Sequence, residues 1–210
     1  MSERSNEFTG LTMQRVEAFS DGVFAIAITL LILEIRVPLA GGAHGDLARS
    51  LRDLWPSYFA YVLSFVMIGI YWANHHYLSH LFRRTDHVYN LLNVLFLMCI
   101  SFLPFPTAVL GQYVTVPEAR QTAVTLYCLG LLMPAGAWLL SWWYASRGHR
   151  LLDPRLYPRF VRRLTVQYVL SNVLYGCALM VSLWSDRIAL AICVSLTLLY
   201  LFPPRKPVYL

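Results

Sequence analysis

Six stretches of mostly apolar residues run through this 210-residue chain, and most of them reach the length of about twenty that a helix needs to cross the roughly 30 Å hydrocarbon core of a bilayer. They fall at 16–37, 54–75, 87–110, 119–144, 164–184 and 188–202, the last being the shortest. Lipid offers no partner for a bare backbone N–H or C=O, so runs of this length predict helices. The expected fold is all-α: one polytopic membrane domain of six transmembrane helices. Composition agrees, because 58% hydrophobic residues against 13% charged suits neither a disordered chain nor a nucleic-acid binder. The final two spans are separated only by Ser185, Asp186 and Arg187, which predicts a tight helical hairpin.

Charge gives the orientation. Net charge is +6, from 17 Lys and Arg against 11 Asp and Glu. Alternating the connecting segments between the two sides puts Arg36, Arg49, Arg52, Arg120 and Arg187 on one side and the other twelve basic residues on the opposite side. Basic residues favour the cytoplasmic face, so both termini are expected there, in a multi-pass protein of the plasma membrane. A secretory leader is the competing reading of the first segment. Glu3, Glu7, Glu17 and Asp21 do not suit a cationic leader, and the stretch from Gly41 to Gly45 reads as an outer loop instead. Cys99, Cys128, Cys177 and Cys193 stand singly in apolar runs, without the spacing of a zinc site or a disulfide framework.

The first span mixes two characters. Arg15, Glu17, Ser20 and Asp21 open it, and an aliphatic run follows. At about 100° per residue Ile26, Leu30 and Leu33 share a stripe about 60° wide with Thr29 on its flank, while Ser20 and Asp21 point roughly 120–140° away. Two readings of Asp21 stand side by side: a carboxylate paired within the span, or a helix-start residue at interfacial depth. The stripe likewise has a bland reading as ordinary helix packing.

The run from Arg15 through Phe19-Ser20-Asp21-Gly22 to Thr29-Leu30-Leu31 resembles the first-helix signature of the transmembrane protein 175 family of endolysosomal potassium channels, above all its bacterial members. Tyr71-Trp72-Ala73-Asn74-His75-His76 and Ser101-Phe102-Leu103-Pro104-Phe105-Pro106-Thr107 are similar to further stretches of that family. The resemblance implies a homotetramer in the bilayer whose first helices line a potassium-permeable pore. It also implies an apolar constriction at Ile26, Leu30 and Leu33 and a hydroxyl layer at Thr29 that favours potassium. No Thr-Val-Gly-Tyr-Gly filter is present, so the carbonyl solution to potassium selectivity is not available, whereas apolar rings gate by dewetting.

Trp72, His75, His76, Ser79 and His80 recur at helical spacing on one face of the second span. The expectation is that His75 holds Asp21 and Arg15, with Trp72 packed beside them and Ser20 part of the same network. Metal or haem ligation by His76 and His80 is not expected, because no acidic ligand shares that helix. Asn90 and Asn93 are candidates for hydrogen bonds between helices, and Pro104 and Pro106 for a kink or an end of the third span. Trp142, Trp143, Tyr144, Trp184 and Tyr200 read as interfacial anchors, and the Arg147–Arg163 segment as a basic loop. The reading that results is a channel and not an enzyme, with no cofactor, potassium as permeant ion and no nucleic-acid partner. The alternative is a secondary transporter or proton-coupled carrier using Asp21 and the second-span histidines.

Overall fold

Each helix begins where the local sequence supplies a start signal. In the computed structural model, which describes residues 13–38, 46–202 and 207, α1 (Met13–Leu30) runs on into a 3-10 turn at Leu31–Glu34. A short helix, α2 (Leu47–Asp53), is capped by Asp46, whose carboxylate accepts from Ala48 N at 2.9 Å. Then come α3 (Trp55–Ser79), α4 (His87–Phe102), α5 (Pro104–Tyr113), α6 (Pro117–Ser146), α7 (Pro158–Ser182) and α8 (Asp186–Tyr200). Proline opens α5, α6 and α7, where its missing N–H costs nothing. Asp86 caps α4 by accepting from Tyr89 N at 2.8 Å, and Ser185 caps α8.

Among the described residues five segments are long and apolar enough to cross a membrane: Met13–Glu34, Trp55–Ser79, His87–Tyr113, Pro117–Ser146 and Pro158–Ser182. The 15-residue α8 falls short of that length but packs against α7, as a hairpin partner should. Among the described residues there is no strand, only an isolated antiparallel bridge between Phe82 and Leu152. The Gly41–Gly45 stretch and both chain ends lie outside the described residues.

Several boundaries differ from the sequence reading for physical reasons. Pro104 breaks the third span into α4 and α5 without ending it. Helix α7 starts at Pro158, so Arg159, Arg162 and Arg163 belong to its first turns and not to a loop. Trp142 is not an interfacial anchor: it is fully buried, and its indole N–H donates to Thr165 Oγ1 at 2.9 Å. Cys128 and Cys193, single in sequence, meet in the core with their sulfurs 3.5 Å apart.

Helix α6 is the hub, packing against α4, α5, α7 and α8. Gly130 allows the closest of these approaches, since a Cβ there would lie 2.7 Å from the Pro106 ring of α5. Gly148, with φ of +64°, turns the chain after α6, a conformation that suits a residue without Cβ. The loop after α3 then pairs with the loop after α6, through Arg83 N to Leu151 O at 2.9 Å and Asp153 N to Leu81 O at 3.0 Å. At the opposite end Arg120 pairs with Asp186, joining the start of α6 to the start of α8. Helix α1 lies on the outside of this assembly, against α3 and α4.

Candidate functional site

One side of α1 is built to pack. Val16, Ser20, Phe24 and Ala27 recur every three or four residues and are all buried, and Leu31 continues the line. Behind them sits a cluster of rings. Phe24 meets His75 and Phe96 with centroids 5.7 and 6.0 Å apart, and Phe96 meets Trp138 at 5.2 Å. The other side is bare within the subunit: Ile26 is 61% exposed, Leu33 71% and Leu30 41%. Thr29 is exposed between them, its hydroxyl within hydrogen-bonding distance of the Ala25 and Ile26 carbonyls at 3.0 and 2.9 Å. The four residues singled out on α1 therefore share one uncovered face.

Two sets of polar contacts fix α1 to its neighbours. The first is buried and runs through three helices. His75 Nε2 lies 2.9 Å from Asn93 Oδ1, an acceptor, so His75 is the donor. Asn93 Nδ2 donates to Ser20 Oγ at 3.0 Å, and Ser20 donates to Val16 O at 2.8 Å. His75 Nδ1 is left as a buried acceptor without a partner, facing aromatic rings. This corrects the expected pairing, because His75 reaches α1 through Asn93 and Ser20 and not through Asp21. The physical reason is angular: Ser20 points inward with Phe24, whereas Asp21 is turned one residue, about 100°, toward the rim. Asn90 does not cross between helices; it accepts from Thr85 Oγ1 at 2.7 Å within its own helix start.

The second set lies at the rim. Trp72 does more than pack, since its indole N–H donates to Asp21 Oδ1 at 2.9 Å. One turn away, His76 Nδ1 lies 2.6 Å from Glu17 Oε1, and Ser79 Oγ donates to the same oxygen at 3.0 Å. Arg15 is exposed, and no ion pair joins it to Asp21 among the described residues. Glu17 was missing from the expected network. A signal for it was present, because Glu17 and Asp21 stand four apart on α1 just as Trp72 and His76 do on α3, and two antiparallel helices bring such pairs face to face.

Comparison with known proteins bears on what this arrangement serves. A family model described as the endosomal/lysosomal potassium channel TMEM175 matches residues 15–104. A potassium channel of Streptomyces collinus is 42% identical over 188 residues, 90% of this chain and 91% of that one. A potassium channel of Chamaesiphon minutus is 41% identical over 187 residues, 89% of this chain and 92% of that one. A crystal structure of a lysosomal potassium-selective channel TMEM175 homologue from Chamaesiphon minutus superposes with a TM-score of 0.81 at 38% identity, covering 90% of this chain and 96% of the other.

Proposed function

Because the chain belongs to the TMEM175 family, we propose that it is a potassium-permeable cation channel of the plasma membrane, formed by four copies whose first helices line the pore. In this reading α8 completes six spans and both termini are cytoplasmic, in keeping with the twelve-to-five division of basic residues. The chain then forms one transmembrane channel domain.

The observation that carries the proposal is the uncovered face of α1. Ile26, Thr29 and Leu30 of α1, with Leu33 in the 3-10 turn that continues it, lie opposite the buried line of Val16, Ser20, Phe24 and Ala27, whose side of the helix is held by polar contacts from α3 and α4. Rings of Ile26, Leu30 and Leu33 around a central axis make an apolar constriction that opens when widening lets water in. Thr29 supplies a layer of hydroxyl oxygens between two of those rings. Ser20, Asp21, Trp72 and His75 act from behind, fixing how α1 is turned, with Arg15 close to the same end of the helix.

The carrier alternative gains nothing from the geometry. It would put the working groups along a path through the subunit, whereas Asp21 and Glu17 sit together at the rim, each bonded to a side chain of α3. Ion conduction needs no covalent chemistry, so no catalytic residue is assigned. Current through purified protein in planar bilayers tests the channel reading: an ohmic current is expected, with a reversal potential that tracks the potassium gradient. Saturable, electroneutral flux would overturn it. Replacing Ile26 with Asn should raise the current by letting water into the narrowest ring, and an unchanged current would move the constriction elsewhere.

A further inference from the structure

His76 and His80 lie one turn apart on α3, and their Nε2 atoms stand 3.3 Å from each other. Two nitrogens bound to one zinc ion at 2.0–2.1 Å with a tetrahedral angle are themselves about 3.3 Å apart. The second nitrogen of His76, Nδ1, is already committed to the Glu17 carboxylate at 2.6 Å. A carboxylate in that position keeps the proton on Nδ1 and leaves the Nε2 lone pair toward His80, which is the usual support of a metal-bound histidine. Ser79 Oγ, 3.0 Å from the same Glu17 oxygen, steadies the carboxylate in turn. One donor atom from each of Glu17, His76 and His80 falls within 4.8 Å of the others, and both histidines are exposed, so an ion has a path from water.

We propose that His76 and His80 ligate a divalent transition-metal ion of the zinc type through Nε2, with Glu17 as the orienting carboxylate and water in the remaining positions. Two imidazoles suit zinc and its neighbours, whereas magnesium and calcium demand mostly oxygen ligands. The sequence argued against a metal here because α3 carries no acidic residue at suitable spacing. The fold removes that objection by delivering the acid from α1. A bound ion strengthens the Glu17–His76 contact and so ties α1 to α3 at their shared end.

Zinc titration of the full-length, detergent-solubilised protein by calorimetry tests the site without reference to conduction. One ion per subunit is expected, with binding lost in His76→Ala and in His80→Ala and weakened ten- to hundredfold in Glu17→Gln. Circular dichroism checks that the variants fold, and His80→Ala removes no contact to α1, so it remains informative if the others misfold. Zinc affinity unchanged in His80→Ala, or magnesium binding as tightly as zinc, would overturn the proposal. Zinc binding in a protein that carries no current would uphold the site while overturning the channel reading.

Discussion

Helices α1 and α6 are both apolar enough to span a bilayer, yet they live in different surroundings. Helix α6 is enclosed by α4, α5, α7 and α8, and buries side chains over about half of its circumference, from Ala137 round through Trp138, Leu131 and Trp142 to Cys128. Helix α1 buries a single line of side chains and leaves its Ile26 and Leu33 side in the open. Between apolar helices in lipid there is little hydrophobic drive, so cohesion comes from packing and from interhelical hydrogen bonds. Helix α6 uses both, being bonded along its length to Ser64 and Tyr71 of α3 and to Thr165 and Ser182 of α7. Helix α1, with less of its surface buried, is bonded to its neighbours by polar side chains at one end, and its Ile26 and Leu30 side stays uncovered within the subunit.

Mutations divide along the same line. The largest stability loss is expected for Trp142→Ala, which empties a fully buried site and removes the donor to Thr165. Such truncations cost about 3–5 kcal/mol in packed cores, and the dispersion share of that loss persists in lipid. Unfolding in micelles measures it, and a loss below 1 kcal/mol would break the contrast between the two helices. Next comes Asn93→Ala, which takes the partner from both His75 and Ser20. The expected loss is about 1–2 kcal/mol, together with lower current as α1 loosens.

Leu33→Ala, exposed in the 3-10 turn that continues α1, should change the stability of the fold by about 0.5 kcal/mol or less. Its conductance should nevertheless change, and a stability loss to match Trp142→Ala would mean that this face is packed after all. The smallest effect belongs to Asp153→Asn in the loop after α6. The Arg155 guanidinium beside Asp153 holds its carboxyl down at about 2, against an ordinary 3.8. Whatever this pair contributes is present above the ordinary value and is lost as pH falls through about 2. Arg155 is exposed, so unfolding at neutral pH should not distinguish the variant from the parent.

The spans were legible because a run of apolar residues is a local property; their ends moved by a few residues, at a proline at the start of α6 and α7 and without one at the end of α3. The short α2 was not legible, being seven residues with no buried side chain. The stripe of Ile26, Thr29, Leu30 and Leu33 follows from helical period alone. Its anchor was only half legible: Ser20, Asp21, Trp72 and His75 do make contacts between helices, but Arg15 does not pair with Asp21 and the pairing depended on which helix faces which. Asn93 entered from α4 and displaced Asp21 as the partner of His75. Glu17 found His76, and Trp142 went to the core although its sequence neighbour Trp143 stayed exposed. Hydropathy does not record these choices, because they are made between segments far apart in the chain.

The two rim contacts on α1 make an indexing mechanism. Glu17 meets His76 and Asp21 meets Trp72, one helical turn apart, so sliding α1 by one residue, about 1.5 Å along its axis with a rotation of about 100°, unseats both at once. Partial slippage has no intermediate notch. Thr29 stands eight residues beyond Asp21, about 12 Å up the axis, and its heading is therefore set by a clasp two turns away from it. The uncovered face and the clasp can then vary separately: the side chains at Ile26, Thr29, Leu30 and Leu33 are open to substitution so long as the four interlocking residues at the other end remain matched.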